Sequence, residues 1–130
     1  MIVNFRLNDR EVSFEATPSQ SLLAVLRANG YFGVKFGDET GVSGADTVLL
    51  DGVPVNSGVM LAAQAEGKSV TTIEGIGGQQ QRGWRGSAPL HPLQTAFVET
   101  GAIQCGYCTP AMILASKALL DQNPNPTETE

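Results

Sequence analysis

Apolar and polar residues alternate at the start of the chain, which is the period of a strand with one buried face. Val3 and Phe5 are separated by a polar residue, and the alternation resumes after a turn signal at Asn8-Asp9. Residues 2–15 are therefore predicted to form a β-hairpin.

A helix and a loop are predicted to follow this hairpin. Residues 17–20 (Thr-Pro-Ser-Gln) have the pattern of a capping box with proline at the first helical position. The apolar face of the helix is supplied by leucine and valine, and the helix is predicted to end at Gly30. Residues 33–46 then form a glycine-punctuated loop.

A second hairpin completes the first half of the chain. Residues 47–50 and 53–55 are apolar segments that flank Asp51-Gly52, a strong hairpin signal. A short helix over 59–65 and a β-branched strand over 70–73 follow. The order β-β-α-β-β-α-β predicts an α+β protein whose residues 1–76 form a β-grasp domain, a mixed sheet clasping one helix.

The second half of the chain has helical periodicity. Residues 77–88 are glycine-rich and contain Trp84 between two arginines, so they are predicted to form a linker. The tryptophan is a candidate anchor on a partner, and a partly exposed linker residue is the equal alternative. Residues 89–130 are predicted to form a partial helical domain. Its first helix ends before Gly101, and its second begins at Thr109-Pro110 and ends at the prolines that follow Asn123.

The last four residues, Thr127 to Glu130, have the pattern of a capping box with no helix behind it. Two helices also make a poor isolated core. We therefore expect the helical domain to be truncated, and an irregular acidic terminus is the alternative.

The composition excludes several classes of function. The chain has 130 residues, a net charge of −5 and 42% apolar residues, as expected of one ordinary domain or two small ones. No basic face is available to neutralise phosphates, so no nucleic-acid partner is expected. Without an apolar run of membrane-spanning length or a secretory signal, we expect no membrane attachment and a cytoplasmic location.

Only two cysteines occur, Cys105 and Cys108, and their C-x-x-C spacing suggests metal or redox chemistry in a chain without a leader. The alternative is a pair of semi-buried thiols at a helix start with no cofactor.

Three segments carry a resemblance to a known family: 33–52 (GVKFGDETGVSGADTVLLDG), 90–94 (LHPLQ) and 104–110 (QCGYCTP). Together they resemble the small iron–sulfur subunit of the molybdenum hydroxylases, the xanthine oxidase family, and the likeness runs from about residue 2 to residue 126. In that family the first segment is a plant-type [2Fe–2S] loop with the spacing C-x4-C-x2-C and a fourth cysteine beyond the next hairpin.

The chain departs from the family at all four ligands of this first cluster. The family's cysteines fall at Asp38, Ser43, Asp46 and Gly58. Iron in such clusters is held by soft, deprotonated thiolates, whereas these residues offer hard oxygen donors or no side chain. We therefore predict that no cluster is bound at the first site.

At the second cluster, the resemblance implies that Cys105 and Cys108 act with a later C-x-C pair, which this sequence does not contain. A [2Fe–2S] cluster at this site therefore needs two further ligands. The resemblance also implies that Gln104 and Cys108 approach the pterin of a large molybdopterin-binding subunit, with Gly106 permitting close backbone approach.

These observations predict a non-catalytic subunit of a molybdenum-hydroxylase-type complex, which acts mainly in assembly with the large subunit. Such a complex is a candidate for non-redox chemistry, hydration or hydroxyl transfer, and a flavin subunit is a further candidate partner. Two alternatives remain: an electron-transfer subunit with one [2Fe–2S] cluster at Cys105 and Cys108, and a cofactor-free β-grasp interaction module.

Two other features have simple interpretations. The oxygen donors of Asp38, Glu39, Ser43 and Asp46 lie on one loop, but their spacing fits no known calcium loop, so a solvated acidic loop is preferred. His91 lies at a helix start without a nucleophilic partner, which favours a capping or packing role over general base catalysis.

Overall fold

The computed structural model describes residues 1–77 and 90–130. These ranges contain one mixed five-stranded sheet and three α-helices. The strands are β1 (Ile2–Leu7), β2 (Arg10–Glu15), β3 (Thr47–Leu50), β4 (Val53–Asn56) and β5 (Ser69–Thr71), and the helices are α1 (Leu22–Ala28), α2 (Pro92–Glu99) and α3 (Thr109–Gln122).

The sheet has the order β2-β1-β5-β3-β4, in which β1 and β5 are parallel and all other neighbours are antiparallel. Both predicted hairpins are confirmed, β1 with β2 and β3 with β4. Their turns contain non-glycine residues with positive φ, Asn8 and Asp9 in the first and Asp51 in the second. Asn and Asp tolerate this conformation best, which is why these turn signals were reliable.

The main core lies between the sheet and α1. Val3, Phe5 and Leu7 point from β1 to the same face and are almost completely buried, as the two-residue period of a strand requires. They pack with the apolar face of α1, which comprises Leu22, Leu23, Val25 and Leu26. This arrangement of one mixed sheet and helices confirms the predicted α+β class, and the description of residues 1–76 as a β-grasp domain stays a prediction.

The start of α1 differs from the prediction. Residues 17–20 form a turn, and Ser21 is the N-cap, whose hydroxyl accepts a hydrogen bond from the Ala24 N–H at 3.2 Å. The helix starts later because the neighbouring backbone is paired with a distant segment: the Leu22 N–H donates to the Met60 carbonyl, and the Ala62 N–H donates to the Gln20 carbonyl.

The same pairing explains why the helix predicted over 59–65 is wrong. Two short 3-10 helices, Ser57–Val59 and Ala62–Ala65, occupy this region, with extended residues between them. A continuous helix would remove the backbone hydrogen bonds to the segment before α1. The last strand is also shorter than predicted, at Ser69–Thr71.

Helix α3 packs against β3 and β4 of the sheet, and α2 packs against α3. Their apolar side chains share a second core cluster, distinct from the main core. Ile113, Leu114 and Ala118 of α3 bury their side chains with Leu49 of β3 and Ile76. The division into residues 1–76, 77–88 and 89–130 stays a prediction. The predicted linker, with Trp84 and its flanking arginines Arg82 and Arg85, lies almost entirely outside the described residues.

None of the helices in the described ranges combines the length and the apolar character needed to cross a membrane.

Candidate functional site

The glycine-punctuated loop folds around the carboxylate of Asp38. One oxygen of this carboxylate accepts hydrogen bonds from the Thr40 hydroxyl at 2.5 Å, the Thr40 N–H at 3.2 Å and the Val42 N–H at 3.1 Å. Its other oxygen accepts from the Ser43 N–H at 3.2 Å. A single side chain therefore closes the loop over residues 38–43.

These hydrogen bonds favour the ionised form of the carboxyl group. The Thr40 hydroxyl, and then the backbone N–H of Ser43, hold the pKa of Asp38 well below its usual range. Asp38 is thus a fixed negative charge that organises the surrounding backbone amides at neutral pH.

A second contact joins Asp46 and Gly58. The side chain of Asp46 is only 1% exposed, and its Oδ2 accepts a hydrogen bond from the Gly58 N–H at 2.7 Å. The backbone carbonyl of Asp46 accepts from the Ser57 hydroxyl at 2.5 Å. Its Oδ1 has no hydrogen-bond partner in the described part of the chain.

The contact with Asp46 leaves no room for a side chain at position 58. A Cβ atom on Gly58 would lie 2.7 Å from Asp46 Oδ2 and 3.4 Å from Leu23 Cδ2. Residues 46 and 58 therefore fit each other as a pair, a carboxylate against a bare backbone.

The structure brings the four predicted first-site residues together as two contacting pairs, Asp38 with Ser43 and Asp46 with Gly58. Their donors are carboxylate, hydroxyl and backbone groups, and none is a thiolate. Because [2Fe–2S] clusters require soft thiolate or imidazole ligands, this donor set does not fit such a cluster.

The same contacts argue against the calcium alternative. Asp38 directs its oxygens to backbone N–H groups, and Asp46 is buried against Gly58. Across residues 1–77 and 90–130, no three acidic, thiol or imidazole side chains converge in a way that would hold a metal ion.

A shallow cavity of about 400 Å³ lies between α1 and this loop. Its lining is mostly apolar and comprises Ser21, Leu23, Ala24, Arg27, Phe36, Glu39 and Gly58. The Arg27 guanidinium donates to the carbonyls of Phe32 and Val34 at 3.2 and 2.8 Å and so fixes the loop against the helix.

The predicted second-site residues lie on one exposed loop before α3. Gln104, Cys105 and Cys108 are all exposed, and both cysteines are free thiols. Gly106 has φ of +85°, a conformation that other residues rarely adopt, and so permits the sharp turn between the two cysteines. Cys108 immediately precedes the first residue of α3, and its Sγ lies 3.8 Å from Met112 Sδ.

A contact that the sequence analysis did not predict connects the two loops. The Tyr107 hydroxyl, between the two cysteines, donates a hydrogen bond to the backbone carbonyl of Phe36. Phe36 lies two residues before Asp38, so the two candidate sites are physically linked. The only sequence signal was a polar aromatic residue inside the C-x-x-C motif.

His91 is confirmed as a capping residue. Its Nδ1 accepts a hydrogen bond from the Leu93 N–H at 3.1 Å, and the Gln94 side chain accepts from the His91 N–H at 2.9 Å. These reciprocal bonds begin α2 and account for the chain's single histidine.

Comparisons with known proteins point to iron–sulfur proteins. Residues 72–130 match a family described as a [2Fe-2S] binding domain. Over 129 residues, the chain is 44% identical to the nicotinate dehydrogenase small FeS subunit of Eubacterium barkeri, covering 98% of this chain and 77% of that protein. Over the same length it is 42% identical to the nicotine 6-hydroxylase small subunit of Paenarthrobacter nicotinovorans, covering 98% of this chain and 73% of that protein.

Solved structures share the fold. Quinoline 2-oxidoreductase from Pseudomonas putida superposes with a TM-score of 0.87 at 37% identity, covering 98% of this chain and 74% of that chain. Aldehyde oxidoreductase from Desulfovibrio gigas superposes with a TM-score of 0.85 at 38% identity, over 98% of this chain and 13% of that much longer one.

Proposed function

The chain belongs to the small iron–sulfur subunits of the molybdenum hydroxylase (xanthine oxidase) family, and from this membership we propose that it is an assembly subunit whose first cluster site holds no cluster. Its partner in this proposal is a large molybdopterin-binding subunit, and its own residues perform no catalytic step. A flavin subunit is a further candidate partner, and it belongs to the alternative in which the complex exports electrons.

The donor set at positions 38, 43, 46 and 58 carries this proposal. Each substituted residue has a structural partner within the pairs described above, and the loop is closed by hydrogen bonds of its own. Replacing one cysteine would leave three thiolates, whereas the four substitutions leave none. The complete five-stranded sheet and the buried core beneath the loop support the proposal that the chain keeps a folded surface for assembly.

The second-site loop supports the contact with a large subunit. Gln104, Cys105 and Cys108 are exposed, and Gly106 carries no side chain that would obstruct a neighbouring molecule. We place the partner's pterin against this loop. The proposal also has a chemical consequence: without a cluster at the first site, the electron route to a flavin is interrupted. Reactions without net electron export, hydration or hydroxyl transfer, are therefore the favoured class for the complex.

A second candidate function is electron transfer through one [2Fe–2S] cluster at Cys105 and Cys108. The match of residues 72–130 to a [2Fe-2S] binding domain favours it. The two exposed thiols supply half of the ligands, and two further thiolates must come from outside these 130 residues. The third candidate, a cofactor-free interaction module, requires no large subunit.

The test is the iron, acid-labile sulfide and molybdenum content of the complex purified from its native source, with its visible absorption spectrum. The assembly proposal predicts molybdenum and a large subunit, with no iron at the first site. Two irons per small subunit support the electron-transfer alternative. Four irons would refute the account of the first site, and a monomer without a large subunit would support the interaction module.

A further inference from the structure

The cavity between α1 and the glycine-punctuated loop is bordered by exposed apolar side chains. Phe36 lines the cavity, and so does Arg27, whose guanidinium carbon lies 5.4 Å from the centroid of the Phe32 ring. Val59 follows the lining residue Gly58. Phe32, Phe36 and Val59 are each about half exposed. Apolar patches of this kind mark interaction sites, and aromatic and arginine side chains are enriched at protein–protein contacts.

One side chain of each charge lines the same cavity, Arg27 from α1 and Glu39 from the loop. The ion pairs found in the described part of the chain involve neither of them. Arg27 uses Nη1 to donate to the carbonyls of Phe32 and Val34, so its positive charge faces no carboxylate there. Within residues 1–77 and 90–130, two opposite charges on facing walls thus have no ionic partner. Such an arrangement is complementary to a second copy of the same surface.

We propose that this cavity is the contact surface of a dimer in which two copies of the chain are related by a twofold axis. In such an interface the same patch meets itself, so each contact occurs twice. Arg27 of each copy then pairs with Glu39 of the other copy, and the apolar side chains around the cavity become buried between the copies. One occupant therefore satisfies both the charges and the apolar border. This inference concerns the isolated chain and does not depend on the proposed function.

The walls of the cavity leave room for an anchoring side chain. Ser21 and Ala24 present small side chains from α1, and Gly58 presents none. The volume of about 400 Å³ lies in the range of cavities that hold small molecules. Aromatic side chains seated in pockets commonly dominate the energy of an interface. Phe36 is exposed at the border of its own cavity, and we assign it the role of anchor in the cavity of the second copy.

The experiment is sedimentation equilibrium of the full 130-residue chain over a series of concentrations, under reducing conditions that prevent disulfide formation between the exposed thiols. We expect a reversible monomer–dimer equilibrium with a dissociation constant on the order of 10 µM, as for small interfaces. Glu39→Lys creates two like-charge contacts in the dimer and is expected to weaken dimerisation about a hundredfold, tenfold for each contact. Phe36→Ala removes the anchor and is expected to weaken dimerisation about tenfold.

Charge exchange between the two walls supplies the specific test. Arg27→Glu alone is expected to be monomeric, whereas an equimolar mixture of Arg27→Glu and Glu39→Lys is expected to form a heterodimer, because both contacts then join opposite charges. Glu99→Lys makes the same charge change at an exposed residue of α2, outside the cavity, and is expected to dimerise as the wild type does.

The proposal is overturned if the wild type stays monomeric, including the case in which it associates only with an added large subunit. It is also overturned if Glu39→Lys or Phe36→Ala dimerises as tightly as the wild type, or if Glu99→Lys weakens dimerisation equally. A mixture that stays monomeric, although both of its members show the wild-type circular dichroism spectrum, has the same meaning.

Discussion

The contact between Asp46 and Gly58 leads to a prediction about two residues at positions where the family resemblance implies cysteines. If they fit each other as a pair, the effects of changing them cannot be independent. A Cβ atom at position 58 would lie 2.7 Å from Asp46 Oδ2, so one of the two must move by several tenths of an ångström. Removing the Asp46 carboxylate removes this clash.

The structure sets the size of each effect. Gly58→Ala inserts a methyl group into a filled site, at a cost of about 1–3 kcal/mol, which the reduced backbone freedom of alanine offsets by about 0.4–1 kcal/mol. Asp46→Ala leaves the Gly58 N–H without its acceptor, at a cost of about 1–3 kcal/mol. In the double variant the added methyl group has room. We therefore expect its free energy of unfolding to exceed the additive value by about 1–2 kcal/mol.

The assay is urea unfolding of the wild type, the two single variants and the double variant, with the free energies combined as a double-mutant cycle. A control cycle pairs Gly58→Ala with Glu11→Ala, because Glu11 is exposed on β2 at the opposite edge of the sheet. The control cycle is expected to be additive within about 0.5 kcal/mol. If the changes in unfolding free energy at positions 46 and 58 are also additive within about 0.5 kcal/mol, the interpretation that the two residues fit each other as a pair is refuted.

Two more predictions concern the loops. Because the pKa of Asp38 is lower in the folded chain than in the unfolded one, its stabilisation is complete above about pH 4 and is lost as the pH falls toward the folded-state value. In Asp38→Asn, the free energy of unfolding should therefore fall less steeply below about pH 4 than it does in the wild type. Equal slopes for the two proteins would contradict this. Tyr107→Phe removes the hydrogen bond to the Phe36 carbonyl and should lower the free energy of unfolding by about 0.5–1.5 kcal/mol. Urea unfolding tests this, with Tyr31→Phe as the matched control, and equal effects of the two substitutions would count against a specific link.

Local patterns predicted those elements whose structure is decided locally. The two-residue period and the Asn-Asp and Asp-Gly turns predicted both hairpins, because burial of one face and turn geometry fix the register. Thr109-Pro110 marked the start of α3, and Pro124 follows the residue that caps its end. Distant backbone contacts of the hairpins, such as the pairing of β1 and β3 with β5, extend the sheet and leave the hydrogen bonds within each hairpin in place.

The errors occur where a distant segment does compete. Residues 17–20 and 59–65 each had a plausible helical pattern, yet their backbones pair with each other near Leu22 and Met60. Neither pattern contains information about its partner. Sequence patterns were also insufficient at the candidate site. The family resemblance identified positions 38, 43, 46 and 58, but only the fold shows that these residues contact each other in pairs.

The hydrogen bond from Tyr107 to Phe36 could not be predicted from sequence patterns, for a similar reason. The two residues are 71 positions apart, and neither has a spacing that points to the other.

The carboxylate of Asp38 has a consequence for how the chain matures. In many metalloproteins the inorganic centre completes folding, so the polypeptide stays incomplete until the metal is delivered. Here the backbone amides of the loop turn toward a side chain that is present from the moment of synthesis. Under the proposed absence of a cluster at the first site, this half of the chain reaches its final shape even during iron starvation, with no dependence on the machinery that builds and delivers clusters.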